Sequence, residues 1–123
     1  MPVLGEARAK ELAREWVGAW NAHDLDAILS HYGEDVVFSS PFVVKLTGDP
    51  SGTLRGKAAL REYFSRGLAA YPDLRFELLR VLSGVDSVTL CYRSVNGLHA
   101  AETMQVGEDG LVCRAWAHYG AGD

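Results

Sequence analysis

The carboxyl group best placed for chemistry in this sequence belongs to Glu102, which lies within a strand-like apolar segment, residues 98–106. The dipeptide Asn96-Gly97 before this segment is typical of a two-residue type I′ hairpin. Counting outward from such a turn places four pairs on one side of the sheet: Val95 with Leu98, Arg93 with Ala100, Cys91 with Glu102, and Thr89 with Met104.

These neighbours leave two roles open for Glu102. Apolar surroundings raise the pKa of a carboxyl group, whereas a nearby Arg93 guanidinium would hold it ionised. In either state the group can act as a general acid or base, or contact a ligand directly. The alternative is an Arg93–Glu102 ion pair that only satisfies a polar position on the sheet.

Three helices are predicted to support this strand. In residues 6–21 the apolar side chains recur at steps of three and four, which is typical of an amphipathic helix. Asp24 is a suitable N-cap for a second, short helix over residues 25–32. The third helix covers residues 57–70, after a Gly- and Pro-containing loop, residues 47–53, that could act as a lid over a pocket.

Five strands are predicted from runs of β-branched and aromatic residues. The first covers residues 36–44, and its Pro41 suits only an edge strand or a strand end. The other four cover residues 74–82, 87–95, 98–106 and 111–119. The predicted fold class is α+β, with three helices on one face of a mostly antiparallel sheet, in a single domain over residues 1–123.

Composition excludes several classes of partner. The chain has 12 basic and 16 acidic residues and a formal net charge of −4, so a basic surface for nucleic acid or an anionic membrane is not expected. There is no apolar run long enough to span a membrane, and we expect a cytoplasmic protein. Cys91 and Cys113 lack metal-site spacing, as do the histidines, so we expect buried free thiols and no metal ion or cofactor.

Three segments carry a resemblance to a known family. Residues 20–26 (WNAHDLD), 56–64 (GKAALREYF) and 32–37 (YGEDVV) occupy a helix junction, the third helix and the start of the first strand. They resemble the WNAGDLD, GxAAIREF and FADDA motifs of the NTF2-like superfamily and its SnoaL-like members. The resemblance covers nearly the whole chain and implies a cone, in which a curved sheet and the helices enclose an apolar pocket. Members include isomerases, polyketide cyclases, epoxide hydrolases, dehydratases and non-catalytic binders, so the resemblance implies a fold rather than one function.

Compared with ketosteroid isomerases of this superfamily, the chain keeps one of three catalytic positions. Glu102 stands at the position of the protonated carboxylic acid, whereas Trp16 replaces the tyrosine of the first helix and Ser40 replaces the base. An indole N–H is no acid near neutral pH, and an isolated serine is a poor base. Steroid-type proton shuttling is therefore not expected.

The resemblance also places aromatic residues at the pocket. Tyr63 and Tyr119 could bind a ligand carbonyl oxygen through their hydroxyls, or could pack in the core with the hydroxyl at the rim. Glu102 is the predicted catalytic residue, and the expected ligand is a hydrophobic small molecule. The predicted ligand-binding set is Trp16, Phe38, Ser40, Tyr63, Cys91, Arg93, Met104 and Tyr119.

The opposite side of the sheet is predicted to join two copies of the chain. With the pairing above, it carries the mostly apolar set Val88, Leu90, Tyr92, Ala101, Thr103, Trp116 and His118. An exposed apolar surface of this kind usually marks an interface, and family members often pair through their sheets. We therefore expect a homodimer with Tyr92 and Trp116 as anchors.

Three functions remain open from the sequence. The first is a small isomerase-, cyclase- or lyase-type enzyme that acts on a carbonyl-containing or polyketide-like molecule, with Glu102 as its acid or base. The second is a non-catalytic module that holds a hydrophobic ligand in the same pocket. The third is an interaction domain whose cone is filled by its own bulky side chains.

Overall fold

The predicted α+β class is confirmed by a computed structural model that describes residues 4–121; the terminal residues of the predicted domain, 1–3 and 122–123, lie outside this range. A 3₁₀ turn covers Val95–Gly97. The helices are α1 (Glu6–Asn21), α2 (Leu25–Leu29), α3 (Pro41–Thr47) and α4 (Lys57–Ala70), and the strands are β1 (Tyr32–Ser39), β2 (Thr53–Arg55), β3 (Glu77–Ser83), β4 (Ser87–Arg93), β5 (His99–Val106) and β6 (Val112–Gly120).

The six strands form one sheet in the order β2-β1-β6-β5-β4-β3. The β1–β6 pair is parallel and all other neighbours are antiparallel. The helices cover one face, which we call the inner face: α1 packs on β3 and β4, and α4 packs on β1 and β2. None of the helices between residues 4 and 121 is long and apolar enough to cross a membrane.

Helix α1 begins and ends where its apolar periodicity predicts. Its buried stripe includes Trp16 and Trp20, which pack on Phe76 with ring centroids 5.7 and 5.5 Å away. The Asn21 side chain then pairs with the backbone of Phe76: Nδ2 donates to the carbonyl oxygen at 2.9 Å, and Oδ1 accepts from the amide at 2.6 Å. These contacts fix the end of α1 against the chain that leads into β3.

The segment after α1 differs from the prediction in length. Asp24 is the N-cap of α2, as predicted, and its Oδ1 accepts from the amide of Ala27 at 3.1 Å. The helix ends at Leu29 rather than at Tyr32, however, because Tyr32 is already the first residue of β1. Tyr32 is fully buried, so its side chain belongs to the core.

The predicted strand over residues 36–44 is wrong in its second half. Strand β1 ends at Ser39, and Pro41 occupies the first turn of α3, where its missing N–H costs nothing. The Oγ of Ser40 accepts from the amide of Phe42 at 3.1 Å and caps this helix. The helix ends at Thr47 and is followed by Gly48 as its C-cap, whose φ of 78° is the left-handed conformation that glycine adopts easily.

The predicted hairpin register is wrong by one residue. Asn96 and Gly97 do adopt positive φ angles, 57° and 71°, but the turn also includes Val95, and the amide of Ser94 donates to the carbonyl of Leu98 at 2.7 Å. Leu90 therefore lies opposite Glu102, where Cys91 was expected. A shift of one residue moves every side chain of a strand to the other face, because side chains alternate along it.

Candidate functional site

Glu102 lies at the centre of the inner face and is only 3% exposed. Its direct neighbours across the sheet are Leu90 on β4 and Ala117 on β6. Ala100 and Met104 flank it on its own strand, so small and apolar side chains surround the carboxyl group. The described residues give it one hydrogen bond, in which the hydroxyl of Tyr92 donates to Oε1 at 3.2 Å.

Burial decides the protonation of this group. Loss of hydration raises the pKa of Glu102 from 4.5 to about 7, and the hydrogen bond from Tyr92 opposes the rise because it favours the carboxylate. A carboxyl group with this pKa is present in both its acid and its base form near neutral pH. Such a group can give or take a proton with little free-energy cost.

Four tyrosines from four different elements surround the carboxyl group: the buried Tyr32 of β1, Tyr63 of α4 and Tyr92 of β4, and the half-buried Tyr119 of β6. Burial raises the pKa of each phenol, and the negative charge of Glu102 raises each one further. The pKa of Tyr63 reaches about 12. The phenols therefore remain protonated near neutral pH and can donate hydrogen bonds.

Trp16 and Ser40 support two sides of this cluster. The indole Nε1 of Trp16 donates to the hydroxyl of Tyr32 at 2.9 Å, and the ring packs edge-on against Tyr92 at a centroid distance of 5.4 Å. Ser40 is 4% exposed, and hydrogen bonding from its side chain lowers the pKa values of Tyr63 and Tyr119 against the larger effect of burial.

Most of the predicted site residues lie together on the inner side. Phe38 and Met104 are buried there, and Phe38 packs on Tyr63 with ring centroids 5.7 Å apart. With Glu102, the residues that the fold brings together are Trp16, Phe38, Ser40, Tyr63, Met104 and Tyr119.

Cys91 and Arg93 are not part of this cluster, and the predicted Arg93–Glu102 pair is wrong. Both residues lie on the outer face because of the register shift, and Arg93 Nε donates to Glu77 Oε1 at 3.3 Å instead. The sequence reasoning missed Tyr32 and Tyr92. A three-residue turn at Val95–Gly97 would have placed Tyr92 beside Glu102, but Asn-Gly also suits the shorter turn that was predicted.

The outer face is more polar than predicted. Val88, Leu90 and Tyr92 belong to the inner core, so Tyr92, at 1% exposure, is not available as an interface anchor. Trp116 does lie on the outer face, where the Arg114 guanidinium covers its ring at 4.3 Å. Among residues 4–121 no group of three or more His, Cys, Asp or Glu side chains is arranged to hold a metal ion.

The carboxyl group lies apart from five surface cavities of the described chain. These five cavities have volumes from about 180 to about 370 Å³, and Glu102 lines none of them. The ring of Phe42, on α3, packs perpendicularly on the ring of Tyr119 with a centroid distance of 4.6 Å, and edge-on to the ring of Tyr71 with a centroid distance of 6.5 Å. A ligand could reach Glu102 only if side chains around the cluster moved.

The chain belongs to the SnoaL-like domain family, whose family model matches residues 13–118. A SnoaL-like protein of unknown function from Burkholderia thailandensis E264 is 47% identical; the match covers 97% of this chain and 99% of that one, with a TM-score of 0.94. No curated protein matches the chain.

Two more distant structures share the fold. A protein from Kribbella flavida, described as a proposed ketosteroid isomerase, is 20% identical over 94% of this chain and 79% of its own, with a TM-score of 0.73. SalBIII, an epoxide hydrolase/cyclase-like enzyme of pyran ring formation in the polyether salinomycin, is 22% identical over 94% and 92%, with a TM-score of 0.72. At these identities the similarity concerns the fold.

Proposed function

We propose that this protein is an enzyme that carries out acid–base chemistry on a hydrophobic, carbonyl-containing or polyketide-like small molecule. Glu102 is the group that transfers the proton, without a metal ion or cofactor. The observation that carries the proposal is a single buried carboxyl group whose burial raises its pKa to about 7. Buried groups with strongly shifted pKa values are typical of catalytic sites.

The surrounding phenols suit a ligand that carries an oxygen atom. Tyr63 and Tyr119 stay protonated, so they can donate hydrogen bonds to a carbonyl or enolate oxygen. The remaining lining is apolar, which favours a hydrophobic ligand over a charged one. The names of distant fold relatives, isomerase and epoxide hydrolase/cyclase, belong to the same broad type of chemistry.

The test combines a binding screen with a turnover assay. Steroids, aromatic polyketide-like compounds, terpenoids and fatty acids are screened by thermal shift, and compounds that stabilise the protein are assayed for conversion by mass spectrometry. A compound at about 100 times its Kd should stabilise the protein by about 2.7 kcal/mol. Glu102→Gln keeps the size and the acceptor for Tyr92 but removes the ionisable group, so it should bind the compound and lose conversion.

Cys91→Ser is the matched control, because Cys91 lies on the outer face and its substitution should leave conversion unchanged. Conversion that survives Glu102→Gln at the wild-type rate would remove Glu102 from the chemistry.

A second candidate function is a non-catalytic binding or interaction domain. The observation in its favour is that Glu102 lines none of the five cavities described above, while Trp16, Phe38 and the tyrosines occupy the interior. Tight binding of a screened compound without any product would support a binding module. No stabilisation by any class would support an interaction domain with a filled cone.

A further inference from the structure

A cavity of about 370 Å³, the largest of the five described above, lies at the end of the sheet where the chain turns from β4 towards β5. We call it the end cavity. It is enclosed by residues 70–75, from the end of α4 and the segment that leads to β3, and by residues 94–96 of the turn. Its volume is within the usual range of small-molecule sites. Neither Glu102 nor any other residue of its cluster lines it.

Ser94 brings a buried hydroxyl group to the wall of the end cavity. Side chains alternate along β4, so Ser94, two residues after Tyr92, lies on the inner side, and its amide still pairs with the carbonyl of Leu98 at 2.7 Å. The residue is 8% exposed, and among residues 4–121 its hydroxyl has no hydrogen-bond partner. A buried hydroxyl without a partner costs free energy. A molecule in the end cavity can supply that partner.

Three exposed polar side chains at the end cavity are also available to a ligand: Asp73, Arg75 and Asn96. Within the described part of the chain, none of them forms an ion pair or a side-chain hydrogen bond. The carboxylate accepts hydrogen bonds, the guanidinium donates them, and the amide does both, so together they suit hydroxyl groups. The two charges are opposite, so the cavity as a whole favours neither an anion nor a cation.

Apolar side chains complete the wall and are held in place without a ligand. Leu74 is buried, and Tyr71 and Val95 are half-buried and pack against the core. The backbone of Leu74 is fixed on both sides: its amide donates to the carbonyl of Tyr71 at 2.9 Å, and its carbonyl accepts from Nε2 of His23 at 2.8 Å. The end cavity is therefore preformed, as small-molecule sites usually are.

We propose that the end cavity is a second small-molecule site, which binds a neutral ring that carries neighbouring hydroxyl groups. One hydroxyl pairs with Ser94, a second with the exposed polar groups, and the carbon face of the ring lies against Leu74 and Tyr71. A purely apolar compound would leave the hydroxyl of Ser94 unpaired. The inference goes beyond the proposed function and does not depend on it, because Glu102 lies outside this cavity.

The test uses vicinal trans-cyclohexanediol as the probe, because it is a neutral, water-soluble ring with two neighbouring hydroxyl groups. Titration followed by ¹H–¹⁵N spectra should shift the amides of Leu74, Ser94 and Val95 and give a Kd. Ser94→Ala should weaken binding about fivefold, because one hydrogen bond to the probe is lost. Ser65→Ala is the matched control: it removes an exposed hydroxyl of α4 outside the cavity, so its Kd should equal that of the wild type.

The stability of Ser94→Ala shows whether the hydroxyl serves the fold instead. Because the hydroxyl has no partner in the free protein, Ser94→Ala should unfold at the same urea concentration as the wild type or at a higher one. A lower midpoint would assign the hydroxyl a structural contact and overturn its role in binding.

Two comparisons complete the test. Glu102→Gln should leave the Kd of the diol unchanged, whereas binding that is lost in Glu102→Gln and kept in Ser94→Ala would place the probe at the Glu102 cluster and overturn the inference. Cyclohexanecarboxylate and cyclohexylamine, which carry one charge each, should bind more weakly than the diol, and tighter binding of either would contradict a neutral ligand. The absence of any shift at Leu74, Ser94 and Val95 up to the solubility limit of the diol would also overturn the inference, while the proposed function, tested by conversion, would stand.

Discussion

Replacing Glu102 with Gln should stabilise the fold at neutral and alkaline pH. Because the folded-state pKa of Glu102 lies above the usual value, the folded chain holds this proton more tightly than the unfolded chain does. The stability that protonated Glu102 gives to the folded chain is fully present below pH 4.5, is lost as the pH rises towards about 7, and stays lost above it. Gln at this position carries no charge at any pH and can still accept from Tyr92.

The size of the effect follows from the two pKa values. The difference between the two pKa values, 4.5 and about 7, should make the free energy of unfolding of Glu102→Gln about 3 kcal/mol larger than that of the wild type at alkaline pH. At pH 5 Glu102 is still protonated in most of the folded molecules. The same linkage therefore makes Glu102→Gln more stable than the wild type by only about 1 kcal/mol at this pH. The advantage of Glu102→Gln over the wild type should therefore grow by about 2 kcal/mol between pH 5 and pH 8.

Urea denaturation of both proteins at several pH values measures this difference, in which the contributions of all other groups cancel. Glu62→Gln, on the exposed side of α4, is the control, because water solvates that carboxylate in both the folded and the unfolded chain. An advantage that does not change with pH, or one that shrinks as the pH rises, would refute the reasoning about Glu102.

Three further outcomes are expected. Asn21→Ala should lower the free energy of unfolding by about 2 kcal/mol in urea denaturation, because it removes both hydrogen bonds to the Phe76 backbone. Asp24→Ala should cost about 1 kcal/mol in the same assay, because α2 loses its N-cap, whereas Asp24→Asn should cost less. We propose that the outer face joins two copies of the chain through Trp116, so Trp116→Glu should lower the mass measured by light scattering. An unchanged mass would remove Trp116 from any interface.

The helices were predictable where one local signal dominates. The periodicity of α1 and the bounds of α4, Lys57–Ala70, agree with the structure because each buries a continuous apolar stripe. Helix α3 was not predicted, because β-branched and aromatic residues on both sides of Pro41 favour a strand locally. The cap at Ser40 and the pairing of β1 with β6 favour a helix over a continued strand here, and both contacts form only in the folded chain.

The site was predictable in its residue types more than in its contacts. Glu102 could be identified as the unusual carboxyl group of an apolar strand, but its hydrogen-bond partner could not, because one additional turn residue exchanges Cys91 for Tyr92. Tyr32 was hidden for a related reason: the end of a short helix and the start of a strand look alike over two or three residues.

The measurement that tests the role of Glu102 most directly is the titration of its ¹³C carboxyl resonance in the wild type and in Tyr92→Phe. The wild-type midpoint should lie near 7, and Tyr92→Phe should raise it, because the carboxylate loses the hydrogen bond that favours its charged form. A wild-type midpoint near 4.5 would contradict the proposal that Glu102 exchanges protons as an acid and base near neutral pH.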